Sequence, residues 1–185
     1  MLTSNYILYL GGFDQRKNLA TLLKAFKRLT SDMQLVIAGR LPARDTPFFP
    51  DPRRMVREFG LEGRVAFIGW VLEEEKPALY SMAKVFVFPS LYEGFGLPPL
   101  EAMACGTPVV ASNVSSLPEV VGDAGLLVDP CDAAGLAEAM AALLDDEQLR
   151  EGLGQKGLEQ ARRFSWEETA RETLKVYRRV IGWKG

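Results

Sequence analysis

Short apolar runs alternate with segments of helical periodicity along the first two thirds of the chain. The runs are continuous rather than alternating apolar and polar, which is typical of strands buried on both faces of a sheet. Between them, Leu19, Leu22 and Leu23 recur at helical spacing behind Asn18, a predicted N-cap. Strands are predicted at 6–10, 34–39, 64–69, 84–90, 107–112 and 125–129. Shorter helices are predicted at 52–59, 73–83, 98–105 and 115–121.

The last third of the chain is helical only. Ser165 is predicted to cap the final helix, with Glu168 completing a capping box. Helices are predicted there at 133–144, 146–163 and 165–181. Repeated strand–helix–strand order implies right-handed crossovers and a parallel sheet covered on both faces. We therefore predict one α/β domain over residues 1–185, a Rossmann-like doubly wound parallel sheet of about six strands with C-terminal helices.

Composition and charge narrow the function classes. The 22 basic and 24 acidic residues give a net charge of −2, whereas nucleic-acid binders usually carry a basic excess, so no nucleic-acid partner is expected. The chain has no histidine, which removes Ser-His-Asp and Cys-His catalysis and the commonest metal ligand. Cys105 and Cys131 form no CxxC motif and are predicted to be reduced. No apolar run reaches the ~20 residues of a membrane span, so a cytoplasmic location is expected.

The segment from Glu93 to Glu101, EGFGLPPLE, carries the strongest chemical signal. It follows a predicted strand and opens a helix near Pro98. Its glycines, Gly94 and Gly96, let backbone N–H groups approach a ligand, and a helix N-terminus favours phosphate. Glu101, predicted in the first turn, can accept two hydrogen bonds from a ribose diol, and Glu93 can reach a sugar. The alternative, a loop acid and a helix-stabilising acid, is disfavoured by this strand–loop–helix context.

Two further loops follow predicted strands. In GGFDQRKN (11–18), Arg16 and Lys17 stand before a helix N-terminus, where cations oppose the helix dipole, so an anionic ligand is indicated. It is not a P-loop, and a solvated turn is the alternative. In FIGWV (67–71), backbone groups could read a nucleotide base, while Trp70 is predicted to lie in the core.

These motifs together resemble the C-terminal, nucleotide-sugar-binding domain of the retaining GT-B glycosyltransferases of family 4. The resemblance covers nearly the whole chain and is most specific over residues 89–122. It implies a fold of two Rossmann-like domains facing a cleft, of which this chain is the donor-binding half. The N-terminal acceptor domain is absent from it.

The resemblance implies roles for matching residues. Lys17 would bind the donor's diphosphate, Glu101 the ribose hydroxyls, and Glu93, as the catalytic position, the transferred sugar. Backbone N–H groups would be presented to the sugar and diphosphate by Gly94, Phe95, Gly96 and Leu97.

The resemblance also implies which residues lie near the base of the nucleotide, and this chain departs from the family's pattern at one position. Ile68 and Trp70 would lie near the docked base. Many members carry arginine where this chain has Gly12, and Arg16 is expected to supply the missing charge. Some relatives with an RKN loop transfer mannose from GDP-mannose, which favours that donor.

The resemblance implies retaining transfer of a hexose, with a lean toward mannose, from a nucleotide diphosphate-sugar to an unknown acceptor. No metal or other cofactor is implied, and any membrane contact would be peripheral and through the full-length enzyme. This part alone is expected to be inactive, because acceptor contacts come mostly from the other half. The alternative is a non-catalytic nucleotide-binding regulatory module. A dehydrogenase is disfavoured, because no GxGxxG motif follows any strand.

Overall fold

A six-stranded parallel sheet forms the centre of the computed structural model, which describes residues 5–182. The strands are β1 (Tyr6–Leu10), β2 (Gln34–Ala38), β3 (Val65–Gly69), β4 (Val85–Phe88), β5 (Val109–Ser112) and β6 (Gly125–Val128). Their order is β3-β2-β1-β4-β5-β6, and in the middle Ile7 of β1 pairs with Leu35 on one side and Val85 on the other. The predicted doubly wound sheet is confirmed.

Burial follows position in the sheet. Almost every residue of β1, β2, β4 and β5 is buried, as their continuous apolar sequences predict. The edge strands β3 and β6 are partly exposed throughout. An edge strand has a neighbour on one side only, so its similar sequence is less completely covered.

Helices cover both faces of the sheet. They are α1 (Leu19–Arg28), α2 (Pro52–Glu58), α3 (Lys76–Ser81), α4 (Leu97–Ala104), α5 (Leu117–Val121), α6 (Ala133–Asp145), α7 (Glu147–Ala161) and α8 (Trp166–Val180). One core cluster joins α1 and α6 to the side chains of Ile7 and Leu35. A second joins α3, α4 and α5 to Leu8 and Phe86 on the opposite face. Alternate residues of the central strands thus supply two separate cores.

Most predicted helices differ from the observed ones by one or two residues at an end, and two of the differences matter for the site. The segment 73–83 begins as a 3-10 turn (Glu73–Glu75), and α3 proper starts beside Pro77, which has no N–H with which to continue an upstream helix. The prediction that Glu101 lies in a first turn is wrong. Helix α4 begins at Leu97, directly after Gly96 in a left-handed conformation (φ 107°), so Glu101 falls in the second turn.

Helix α8 is set apart from both cores. Ser165 Oγ accepts a hydrogen bond from Glu168 N (3.1 Å), which confirms the predicted cap. The Glu168 carboxylate pairs with Arg171 instead of completing the predicted capping box. None of the helix's residues is buried, and a row of large apolar side chains is exposed, including Trp166 and Tyr177. Within residues 5–182 no helix combines the length and apolarity needed to cross a membrane.

Helix α7 packs against the end of α4 through glycine. A Cβ built on Gly154 would lie 2.6 Å from the carbonyl oxygen of Gly106, a backbone atom that cannot rotate away. Gly152, two residues earlier on the same helix, is exposed, and a Cβ there would meet nothing within 4 Å. The two glycines form a matched pair for testing how closely α7 approaches α4.

We expect Gly154→Ala to lower the free energy of unfolding by roughly 1–3 kcal/mol, because the added methyl overpacks a backbone contact. Gly152→Ala should raise it by up to about 1 kcal/mol, because alanine is the better helix former. Urea unfolding followed by circular dichroism measures both. Two changes of the same sign would contradict the close packing of α7 on α4.

Candidate functional site

The strand order brings two of the three motif loops together. The chain runs outward from β1 to β3 on one side and from β4 to β6 on the other, so β1 and β4 are central neighbours. The loops that leave their carboxyl ends, 11–18 and 89–96, therefore meet at a topological switch point, where open α/β sheets bind ligands. The backbone joins them directly, since Leu91 N donates to Arg16 O (2.7 Å).

The side chain of Asn18 connects the loops that meet at this edge of the sheet. Its side-chain amide donates to the carbonyl oxygens of Pro89 (2.9 Å) and Pro130 (2.7 Å), and its Oδ1 accepts from Thr21 Oγ1 (2.8 Å). The residue stands just before α1 in a left-handed conformation (φ 55°), but its side chain does not cap that helix, contrary to the prediction. The amide instead ties the loop after β1 to the loops after β4 and β6.

Lys17 and Glu93 form an ion pair inside this junction. The Nζ–Oε1 distance is 2.6 Å, and the side chains are only 19% and 13% exposed. The ring of Phe88 lies beneath the ammonium, 5.5 Å from Nζ to the ring centroid. Since little solvent screens the pair, it is stronger than an ordinary surface ion pair.

The neighbouring cation has a different partner. Arg16 Nε lies 2.8 Å from Asp14 Oδ1, and the arginine side chain is largely exposed. On the other side of the loop, Tyr9 donates to Gly12 O (2.5 Å). Burial, and then the charges of Asp14 and Glu93, raise the pKa of Tyr9, so its hydroxyl stays a donor. Arg16 and Lys17, predicted to face one anionic ligand, thus each contact a different carboxylate.

Two serines after β5 hold the backbone of the loop that contains Glu93. Neither of them was identified from the sequence. Glu93 N donates to Ser115 Oγ (3.0 Å), and Ser116 Oγ donates to the carbonyl oxygens of Phe95 (2.7 Å) and Glu93 (3.2 Å). Ser115 has a left-handed backbone (φ 54°), which costs a non-glycine residue roughly 1–2 kcal/mol. Their position after the carboxyl end of a predicted strand is the feature of the sequence that could have identified them as site residues.

The loop before α4 supplies backbone donors. The second and third residues of α4 are prolines without N–H groups, and Leu100 N donates to Gly96 O (3.3 Å). Within this loop, as the structure describes it, the N–H groups of Gly94, Phe95, Gly96 and Leu97 donate no hydrogen bond. Gly96 itself is buried, and a Cβ there would lie 2.8 Å from Leu117 Cδ2, so a side chain would not fit without a shift.

Glu101 projects from α4 toward α3. Tyr80 donates its hydroxyl hydrogen to Glu101 Oε2 (2.8 Å), and Lys76 Nζ lies 4.0 Å from Oε1. Lys76 also pairs with Glu73 (2.6 Å). Lys76 and Tyr80 are four residues apart on α3 and so share a face, but nothing in the sequence indicated that this face meets Glu101.

Trp70 does not lie in the core, contrary to prediction. Its side chain is 63% exposed, and the guanidinium carbon of Arg40 lies 5.5 Å from its ring centroid. Strand β3 is an edge strand that ends at Gly69, so the next residue stands beyond the covered sheet. Ile68 behaves in the opposite way, packing partly buried against the second core cluster.

A small cavity lies at the carboxyl ends of β1, β2 and β3. Its volume is about 180 Å³, and Gly12, Arg40, Trp70 and Lys76 are among its lining residues. Of the predicted site residues, the structure therefore places Gly12 and Trp70 at this cavity and Lys17 with Glu93 at the switch point. Among residues 5–182 no group of three or more cysteine, aspartate or glutamate side chains is arranged to hold a metal ion.

Comparison with known proteins agrees with this geometry. The family model described as "Glycosyl transferases group 1" matches residues 2–160, and the chain belongs to that family. The resemblance to GT-B glycosyltransferases drawn from the motifs is confirmed.

The relatives are longer proteins. The O-antigen chain mannosyltransferase B of Escherichia coli is 43% identical over 177 residues, which cover 94% of this chain and 45% of that protein. The sucrose-phosphate synthase of Thermosynechococcus elongatus has a TM-score of 0.86 at 38% identity, over 98% of this chain and 47% of that one. Anabaena HepE, in complex with UDP and glucose, shares the fold with a TM-score of 0.83 at 23% identity, over 94% and 49%. The chain thus spans less than half of each.

We expect Asn18→Gly to lower the free energy of unfolding by roughly 1–3 kcal/mol, because two carbonyl groups lose their donor. Glycine accepts the left-handed backbone without strain, and its greater freedom in the unfolded chain accounts for up to about 1 kcal/mol of the loss. Thr21→Val removes only the hydroxyl that orients the amide and should cost less, about 0.5–1.5 kcal/mol. Urea unfolding compares the two, and an Asn18→Gly variant as stable as the wild type would show that the loops are held by other contacts.

Proposed function

We propose that the chain is the donor-binding half of a glycosyltransferase, and that the site at the carboxyl edge of its sheet binds a nucleotide diphosphate-sugar. The full-length enzyme then transfers the sugar to an acceptor with retention of anomeric configuration. The acceptor is held mainly by the other half, so this chain alone transfers no sugar. Its unpaired cysteines fit a reducing compartment, and we place the enzyme in the cytoplasm.

A continuous row of groups along the sheet edge carries this proposal. The cavity beside Trp70 is small, with a volume of about 180 Å³, and has an aromatic ring in its lining, which suits a nucleotide base. Lys76 lines that cavity and also approaches Glu101, the acceptor for ribose hydroxyls. Helix α4 leads from Glu101 back to its own N-terminus, where the backbone donors and Lys17 suit a diphosphate. Base, ribose and diphosphate thus meet matching chemistry in the order in which a nucleotide presents them.

The diphosphate end explains how the leaving group is stabilised. Lys17 supplies a charge-assisted hydrogen bond, and the N–H groups of residues 94–97 supply neutral ones at a helix N-terminus. Fixed donors of this kind stabilise the charge that develops as the sugar–phosphate bond breaks, so the transfer needs no metal cofactor. Gly12 leaves room beside the phosphates, and Arg16 lies within the same loop to add charge.

Glu93 is the group for the transferred sugar. It lies next to Lys17 and is held at its backbone by Ser115 and Ser116, so its carboxylate borders the sugar when the phosphates contact Lys17. We assign it the catalytic position. The mannosyltransferase among the relatives supports a hexose donor with mannose favoured, and the fold shared with HepE is one that accommodates UDP and glucose.

Calorimetry with GDP-mannose, UDP-glucose and ADP-glucose, each compared with its own nucleoside (guanosine, uridine or adenosine), tests the function. One of the nucleotide-sugars should bind with a dissociation constant at least tenfold below that of its free nucleoside, because the diphosphate contacts add more than about 1.4 kcal/mol. Equal affinity for nucleoside and nucleotide-sugar would contradict the phosphate assignment.

The Lys17–Glu93 pair predicts opposite effects of two substitutions on diphosphate binding. Lys17→Ala should weaken GDP binding by roughly 10- to 100-fold, because a charge-assisted contact of about 1.5–3 kcal/mol is lost. Glu93→Gln should strengthen GDP binding about threefold or more, because the ammonium no longer has a competing carboxylate.

Lys156→Ala is the matched control for this pair of variants. Lys156 also pairs with a carboxylate, Asp123 (3.1 Å), but on the exposed surface, so its loss should leave GDP affinity unchanged. Weaker GDP binding in Glu93→Gln would show that Glu93 assists the diphosphate rather than competing for Lys17.

A further inference from the structure

Tyr80 is the one buried side chain whose hydroxyl reaches Glu101 among the described residues. Its hydroxyl donates to Oε2 at 2.8 Å, from a ring that is 1% exposed. The other carboxylate oxygen, Oε1, lies on the side of Lys76, which lines the cavity beside Trp70. The two oxygens of Glu101 are therefore not equivalent, because one accepts from a buried tyrosine and the other lies 4.0 Å from the ammonium of Lys76.

The tyrosine is itself held from several directions. Its ring packs edge-on against Phe86, with the centroids 5.3 Å apart. Its backbone oxygen accepts a hydrogen bond from Thr107 Oγ1 (2.8 Å). Because neither ring nor backbone can shift easily, the hydroxyl is a fixed point from which the carboxylate of Glu101 is oriented.

The hydroxyl also keeps its hydrogen. Burial, and next the negative charge of Glu101, raise the pKa of Tyr80 above its ordinary value. It therefore remains a hydrogen-bond donor at neutral and mildly alkaline pH, and the orientation of the carboxylate does not depend on pH there.

We propose that Tyr80 is a positioning residue that sets the preference of this site for a ribose over a deoxyribose. By holding Oε2, it fixes the rotation of the carboxylate so that Oε1 accepts from the sugar hydroxyls in a single geometry. A carboxylate free to rotate would still accept hydrogen bonds, but would order itself on binding and discriminate less. This inference rests on the proposed function, in which Glu101 binds the ribose.

A second buried tyrosine provides a matched control. Tyr6 is also 1% exposed and lies in the same core cluster, but its hydroxyl donates to the backbone oxygen of Leu79 (2.6 Å). Tyr6→Phe and Tyr80→Phe remove the same atom from the same core. Only the second removes a contact with Glu101, so a difference between them reports positioning and not stability.

The experiment measures the affinity of GDP and of 2′-deoxy-GDP for the wild type, Tyr80→Phe, Tyr6→Phe, Glu101→Gln and the double variant Tyr80→Phe/Glu101→Gln. The wild type and Tyr6→Phe should prefer GDP by about tenfold, a difference of one charge-assisted hydrogen bond. Tyr80→Phe should reduce the preference to about threefold or less, with little change in urea stability relative to Tyr6→Phe. In the Glu101→Gln background, Tyr80→Phe should have no further effect on the preference.

The outcomes separate the two proposals. If Glu101→Gln loses the preference but Tyr80→Phe keeps it, the role of Tyr80 is overturned and the ribose assignment of Glu101 stands. If the wild type has no preference, or Glu101→Gln retains it, the ribose assignment itself fails, and the role of Tyr80 fails with it. An equal loss in Tyr6→Phe and Tyr80→Phe would assign the effect to the core and overturn positioning.

Discussion

The left-handed Asn18, with its amide shared between the carbonyl groups of Pro89 and Pro130, is the constraint on which the site depends. Parallel strands bring their carboxyl ends to one edge, but they do not fix the loops that leave those ends. One side chain with two N–H donors joins three loops from different parts of the sheet. Lys17, the preceding residue, is held beside Glu93 as a consequence.

Three cations of the site already have carboxylate partners. Lys17 contacts Glu93, Arg16 contacts Asp14, and Lys76 contacts Glu73. An incoming diphosphate must therefore exchange partners with carboxylates rather than fill an unbalanced positive site. In the function proposed above, a nucleotide-sugar would suit such an exchange, because its phosphates would replace the carboxylate on Lys17 while its sugar would offer hydroxyls and an electron-poor carbon to Glu93.

The site has a rigid half and an open half. Two serines hold the backbone of the loop that contains Glu93, and a buried tyrosine holds the carboxylate of Glu101, so the groups proposed to bind diphosphate and ribose are ordered within the fold. Trp70, by contrast, is exposed beside the edge strand, with the guanidinium of Arg40 against its ring. On the proposed function, preorganised polar groups would favour the parts shared by all nucleotide-sugars, while the base would meet a less constrained surface.

The sequence by itself determined the strands, most helices and the loops that carry the chemistry. Those features are local, since apolar runs, glycines and prolines specify backbone shape over a few residues. The tertiary structure determined which distant residues contact one another. Tyr80 lies 21 residues from Glu101, and Asn18 lies 112 from Pro130, so no spacing rule links them. The exposure of Trp70 was likewise mispredicted, because whether β3 is central or at the edge depends on strand order. A one-dimensional pattern records how each segment folds, whereas contacts between distant segments depend on how the strands are arranged in the sheet.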